Sequence, residues 1–210
     1  MMNADDAYAW LTGASLGASA DAFDVHVAAS ILAMAFMEAD PARGISLADG
    51  AGLTGEEIVA LAQALFPAAL DEITEAVAGT APVIEAEERS VRDIMLMYSS
   101  GKGPLEKPFA GMVARRCRAP HHLWQDLGLR NRGELSQLMQ RHFAPLSKRN
   151  SGDMKWKKFL YRLVCGSAGF TLCAAPVCSD CDDFEHCFGE ETGESRLAQI
   201  ARAAEVAAAT

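Results

Sequence analysis

Hydrophobic residues recur at helical intervals along most of this chain. Residues 25–36 are the clearest case, because their apolar positions fall at i, i+4, i+7 and i+11, the pattern of a buried amphipathic helix. The same three- and four-residue spacing recurs in 91–98, 135–142 and 156–163. No segment alternates apolar and polar residues well enough to predict a strand. The pattern therefore predicts an all-α fold.

Capping and helix-breaking residues set the expected boundaries in the first half of the chain. Residues 41–52 contain several glycines and are expected to form a loop. Thr54 and Glu57 have the spacing of a capping box, which predicts a helix that begins there and stops near Pro67.

The second half has its own boundary signals. Residues 121–129 are interpreted as a turn-rich link, and Asn131 is expected to cap the helix that follows it. Pro145 is expected to break the chain. Asp153 is the expected N-cap of a helix over residues 154–165.

The length of 210 residues predicts one compact domain made of two parts. Residues 1–104 are interpreted as an acidic, alanine-rich helical scaffold. Residues 105–210 are expected to hold a basic helical region, an irregular four-cysteine metal-binding loop and a C-terminal helix.

Nothing near the N-terminus predicts export or membrane insertion. Asp5 and Asp6 stand where a secretory signal carries basic residues, and the uncharged stretch 25–37 is shorter than the roughly 20 apolar residues of a membrane span. We therefore expect a cytoplasmic protein without a membrane partner, in which thiols stay reduced.

Charge is distributed very unevenly along the chain. The net charge is −13 for residues 1–100, +10 for 101–170 and −6 for 171–210. Such asymmetry predicts either an anionic ligand or partner, or contact between the oppositely charged parts. The acidic residues of the first hundred are interpreted as a solvated face.

The cysteines carry the clearest chemical signal. Four of the six fall within fifteen residues, spaced C-x4-C-x2-C-x5-C, and they are Cys173, Cys178, Cys181 and Cys187. A structural zinc site usually takes two close pairs separated by about a dozen residues or more, whereas closely spaced thiolates suit the separate corners of an iron–sulfur cluster. The spacing favours iron–sulfur over zinc, and metal over disulfides.

Other residues supplement this motif. Cys165 is an extra candidate ligand, because it follows a cationic helix surface that would favour its thiolate form. The reserve metal-ligand candidates are Cys117, His142 and His186. The candidate residues for binding an anion or a partner are Lys155, Lys157, Lys158 and Arg162. A hydrogen-bonded core residue is the commoner role for a histidine on an apolar stripe such as His142.

Four segments together resemble the nitrogen fixation protein NifQ family. They are 122–128, 134–139, 153–162 and the four-cysteine loop that ends at Gly189. The resemblance implies a carrier, rather than an enzyme, that binds a molybdenum-containing iron–sulfur cluster through the four cysteines. It implies molybdate as the metal source, and as partners the scaffold and iron protein of nitrogenase cofactor assembly.

Two other functions stay open from the residues themselves. A zinc-stapled module could use the basic segment and nearby tryptophans to bind nucleic acid, although the acidic chain and the cysteine spacing argue against it. A small iron–sulfur electron carrier would explain the acidic cysteine loop but not the cationic helix beside it. We therefore expect no nucleic-acid partner.

Overall fold

A computed structural model of the protein describes residues 3–15, 20–167 and 191, and these residues contain helices and one isolated bridge but no strand. The α-helices are α1 (Ala4–Gly13), α2 (Ala22–Glu38), α3 (Leu47–Ala51), α4 (Gly55–Leu65), α5 (Leu70–Ala76), α6 (Ala86–Met97), α7 (Glu106–Cys117), α8 (Leu123–Asp126), α9 (Arg132–His142), α10 (Ala144–Arg149) and α11 (Trp156–Ser167). The predicted all-α fold is confirmed for this part of the chain. The predicted cysteine loop and C-terminal helix lie outside the described residues.

Helix α2 forms the centre of the fold. It lies between α1 and α3, and all residues from 27 to 35 are buried. The expected helix is therefore confirmed, but its amphipathic character is wrong, because neighbours cover it on all sides. Small residues allow this close packing: a Cβ added at Gly50 of α3 would lie 2.9 Å from the Ala35 Cα. Among the described helices, none combines the length and apolarity needed to cross a membrane.

Helix α7 is the second buried helix, and it packs against α3, α4, α6 and α8. Phe109, Met112 and Val113 are fully buried on it. The turn after α3 fits closely against this helix: Gly52 has a φ of 68°, and a Cβ there would lie 2.5 Å from the Cβ of Arg115. Only glycine satisfies both the backbone conformation and this contact.

Local capping explains the boundaries in the first half. The Thr54 hydroxyl accepts from the Glu57 amide at 3.2 Å and the Glu57 carboxylate accepts from the Thr54 amide at 3.1 Å, which confirms the expected capping box. The expected loop over 41–52 is partly wrong, because α3 forms within it. Ser46 and Asp49 make a second reciprocal capping box there, with a smaller side chain than the usual Glu or Gln.

The expected break at Pro145 is confirmed in part, because α9 ends at His142. Pro145 itself lies in the first turn of α10, where its missing amide hydrogen costs nothing, so it also helps to begin the next helix. The link over 121–129 contains the short helix α8, and residues 123–129 are all buried. The expected cap of α9 is confirmed, since the Asn131 side chain accepts from the Glu134 amide at 3.1 Å.

Asp153 is not the N-cap of the last described helix. That helix, α11, begins at Trp156, and Asp153 has a φ of 54°. The Asn150 side chain accepts from the Met154 amide at 3.0 Å and donates to the Met154 carbonyl at 2.8 Å. Arg132 donates to the Asp153 carbonyl at 2.9 Å. These long-range and local bonds hold residues 153–154 in a turn that the helix cannot extend into.

Ion pairs join the acidic first half to the basic segment. The buried carboxylate of Glu88 lies 2.6 Å from Arg92, 3.1 Å from Arg115 and 3.6 Å from Arg118. Buried Arg116 donates to Glu38 at 2.6 and 2.8 Å. The prediction that oppositely charged parts contact each other is confirmed. The interpretation of the first-half acids as a solvated face holds for most of them, which are exposed, but it is wrong for the buried Glu88.

Replacing Glu88 with glutamine is expected to lower the free energy of unfolding by about 3 kcal/mol, because it leaves three arginines around a neutral group in a buried position. Urea unfolding of the metal-free protein measures this change. The matched control is Glu87→Gln, one position along α6 and exposed. Equal effects of the two substitutions would contradict the importance assigned to the buried ion pairs.

Candidate functional site

The four cysteines of the motif, Cys173, Cys178, Cys181 and Cys187, and the reserve candidate His186 lie outside the described residues. Residues up to Ser167 on one side of them and Glu191 on the other are described. Helix α11 leads toward the motif and ends at Ser167, and Glu191 follows four residues after the last cysteine. The four cysteines lie within residues 168–190, called here the cysteine segment. The site can therefore be built from the described residues that flank this segment.

Lys157 attaches α11 to α8 and to the turn before α8. Its ammonium donates to the Asp126 carboxylate at 2.5 Å and to the Ala119 carbonyl at 2.6 Å. The exposed fractions of the Lys157 and Asp126 side chains are 17% and 4%. His121 adds two contacts to Asp126, from its backbone amide and its Nδ1, each at 3.1 Å. Lys157 thus stabilises the fold instead of projecting into solvent with the other cationic residues.

The remaining cationic candidates lie away from the apolar side of α11. Lys158 and Arg162 are exposed and Lys155 is half-buried. The opposite side carries buried aromatic and aliphatic residues, as the spacing predicts: Trp156, Phe159 and Leu160. The helix that leads into the cysteine segment therefore presents positive charge to solvent.

The two cysteines of the described part differ in environment. Cys117 is buried at the end of α7, and burial raises the pKa of its thiol to about 12, although the Lys157 ammonium nearby acts in the opposite direction. The Tyr161 hydroxyl donates to the Cys117 carbonyl at 3.3 Å. Cys165 is half-buried and lies one turn beyond Tyr161. Because thiolates rather than thiols bind metals, Cys165 is the better placed of the two.

His142 is a hydrogen-bonded core residue. Its Nε2 lies 2.9 Å from Asp24 Oδ1, and its ring centroid lies 4.9 Å from that of Phe109. Among the described residues, no group of three or more His, Cys, Asp and Glu side chains has an arrangement that could hold a metal ion. The metal-binding role of the cysteine segment stays a prediction.

Glu191 brings the far side of the cysteine segment back to the helical body. Its carboxylate is 4% exposed and lies 3.5 Å from His122 Nδ1 and 3.5 Å from Arg132 Nε. Arg132 also contacts the Asp153 carboxylate at 3.0 Å, just before α11. Glu191, just after the cysteine segment, and the turn that begins α11, the helix that leads into this segment, are therefore attached to the same part of the protein, around the N-terminal ends of α8 and α9.

Residues from three of the segments that resemble a known family take part in this arrangement. His122 and Asp126 come from 122–128, and Asp153 and Lys157 from 153–162. Glu134 begins the third segment, and its carboxylate accepts from the Arg130 amide at 2.8 Å and lies 3.1 Å from His26 Nε2. The arrangement can position the two ends of a metal-binding segment beside a cationic helix.

Comparison with known proteins identifies relatives of this chain. A sequence profile of the NifQ family matches residues 27–189. The chain is 35% identical over 179 residues to the Protein NifQ homolog of Sinorhizobium fredii, covering 82% of this chain and 75% of the relative. It is 37% identical over 111 residues to Protein NifQ of Rhodobacter capsulatus, covering 52% of this chain and 61% of that relative. For Protein NifQ of Azotobacter vinelandii the identity is 38% over 105 residues, covering 50% of this chain and 54% of that relative. No solved structure matches the chain.

Burial of Cys117 predicts a measurable loss of stability at alkaline pH. Its pKa rises from 9.0 to about 12 on folding, so its contribution is complete below pH 9.0 and is lost as pH rises toward 12. Urea unfolding of the metal-free, reduced protein should give a free energy that falls by up to about 1.4 kcal/mol per pH unit more steeply than in Cys117→Ala. Parallel pH dependences of the two proteins would contradict this.

Proposed function

We propose, from the premise that this chain belongs to the NifQ family, that it carries molybdenum for nitrogen fixation. The molybdenum is held in an iron–sulfur cluster and is donated for assembly of the nitrogenase iron–molybdenum cofactor. One observation supports this most directly. The segment with four closely spaced cysteines is flanked by α11 and Glu191, and both flanks attach to one face of the helical body beside exposed cationic residues.

The cysteine segment supplies ligands of the appropriate chemical class. Thiolates are soft donors that hold iron–sulfur clusters, and several close spacings let successive thiolates reach separate corners of a cluster. In this proposal the cluster ligands are Cys173, Cys178, Cys181 and Cys187, with Cys165 as an additional candidate. Cys165 supports that role by position, since it is half-buried near the end of the helix that leads into the motif.

The cationic side of α11 has the charge to attract molybdate. Lys155, Lys158 and Arg162 lie away from the buried apolar stripe, and positive charge beside a binding site raises the local concentration of an anion and its rate of arrival. Lys157 is left out of this set, because its side chain is only 17% exposed and its ammonium lies against Asp126 and Ala119. As cluster sulfide and thiolate sulfur bind molybdate captured here, its oxo ligands would leave as water with protons taken up from solvent.

Donation of molybdenum is a ligand exchange in this proposal, so the protein acts as a carrier and not as an enzyme. The metal–thiolate bonds of the cysteine segment give way to bonds with the receiving protein. The partners proposed are the scaffold and the iron protein of nitrogenase cofactor assembly. The exposed cationic residues of α11 also suit the binding of an acidic partner protein.

Anaerobic purification followed by iron, sulfide, molybdenum and zinc analysis tests the function. The proposal predicts iron, sulfide and molybdenum in the same protein fraction. Zinc alone would contradict it and favour a zinc-stapled module. Iron and sulfide without molybdenum, even after growth with excess molybdate, would contradict it and favour an electron carrier.

The cationic residues predict a selective defect. Combined replacement of Lys155, Lys158 and Arg162 by glutamine should slow molybdenum uptake from molybdate about tenfold at low salt, because the local attraction for the anion is lost, while iron content stays unchanged. Iron and molybdenum content after timed exposure to molybdate measures both.

A charge-matched control separates this effect from net charge. Arg43, Lys102 and Lys107 are exposed on other elements, and their combined replacement by glutamine removes the same charge. This control should take up molybdenum at the wild-type rate. Equal loss of iron and molybdenum in the α11 variant, or an equal uptake defect in the control, would contradict the proposed role.

A further inference from the structure

We propose that Arg132 is a positioning residue that holds the two flanks of the cysteine segment together and thereby sets how firmly the segment retains its metal cargo. This inference rests on the proposed function, since it concerns retention of the same cargo. It is carried by the contacts that one guanidinium makes with residues before and after the cysteines.

The first flank is the turn that leads into α11. Arg132 Nη2 donates to the Asp153 carbonyl at 2.9 Å, to the Asp153 carboxylate at 3.0 Å and to the Met154 carbonyl at 3.5 Å. Three acceptors within two consecutive residues fix the start of this helix relative to α9. The Lys157 contact with Asp126 then fixes its next turn.

The second flank is Glu191. Arg132 Nε lies 3.5 Å from Glu191 Oε2, and His122 Nδ1 lies 3.5 Å from the other carboxylate oxygen. The exposed fraction of the Glu191 side chain is 4%, and that of Arg132 is 20%. A carboxylate is rarely so buried unless it is paired, and among the described residues its charged partners are His122 and Arg132.

The backbone of Asp153 indicates that the first flank is held under constraint. Its φ of 54° is uncommon for a residue other than glycine. Such a conformation persists where surrounding contacts determine it. Here Arg132 donates a hydrogen bond to the Asp153 carbonyl, and the Asn150 side chain is hydrogen-bonded to both the amide and the carbonyl of Met154. Loss of Arg132 removes one of these restraints together with the contact to Glu191.

Holding both flanks has a direct consequence for metal binding. A chain segment whose ends are already fixed loses less conformational entropy when its side chains gather around a metal core. Residues that orient ligands without touching the metal commonly change metal affinity by about tenfold or more. Arginine suits this role better than lysine, because its planar group donates in several fixed directions at once.

The test uses the full-length protein, loaded with its cluster under anaerobic conditions and then mixed with an excess of an iron(II) chelator. The rate of iron release should rise about tenfold in Arg132→Gln and in Glu191→Gln. The effect of the double variant should be smaller than the product of the two single effects, because both substitutions break the Arg132–Glu191 contact. Arg132→Lys keeps the positive charge but loses the planar group with several donors. Its rate of iron release should therefore lie between those of the wild type and Arg132→Gln.

The matched control is Arg130→Gln. Arg130 is two residues away, is 67% exposed and pairs with Glu134 instead of Glu191. This control should release iron at the wild-type rate. Thermal unfolding of each metal-free variant separates positioning from general destabilisation, and Glu191→Gln, which leaves the contacts of Arg132 with Asp153 in place, should change the release rate with little change in Tm.

Two results would overturn the inference: wild-type release rates in both Arg132→Gln and Glu191→Gln, or effects that add in the double variant as those of independent sites do. The failure of the proposed function has a different signature. A wild-type protein that binds no iron under anaerobic loading would overturn that function before any variant is compared.

Discussion

Pairing of charges between separate parts of the chain is the interaction on which the described structure depends. The apolar core around α2 and α7 supplies most of the buried surface, yet two arginines of α7, Arg115 and Arg116, and Arg118 just after it pair with acidic residues of the first half of the chain. Glu88 is nearly inaccessible to solvent and would be costly to bury without those arginines. The opposite net charges of the two segments are therefore a requirement of their packing.

The same kind of contact organises the candidate site on a smaller scale. Lys157 with Asp126 attaches α11 to α8, and Arg132 attaches both Asp153 and Glu191 to the start of α9. Two of the segments that resemble the NifQ family thus contact each other through Asp126 and Lys157, and polar residues at their edges contact Arg132 and Glu191 just outside them. Their proposed contribution is to place the cysteine segment and leave its thiolates available for metal.

The sequence predicts those features that depend on neighbours in the chain. Helical spacing locates most helices, and the reciprocal bonds of Thr54 and Glu57 need no distant partner. Predictions fail where a tertiary contact determines the backbone conformation. Aspartate is a residue type that commonly caps helices, but Arg132 and Asn150 hold the region of Asp153 in a turn. Helical periodicity could not show that Lys157 finds Asp126 on another element, and no local signal marks Arg132 or Glu191 as partners.

The central claim is that the cysteine segment, held at both flanks by this helical body, carries molybdenum bound to sulfur within an iron–sulfur cluster. X-ray absorption at the molybdenum edge, measured on the anaerobically purified protein, tests it most directly. The account predicts a molybdenum environment with sulfur neighbours and a further shell of iron. A spectrum with oxygen neighbours alone, as in bound molybdate, would contradict it.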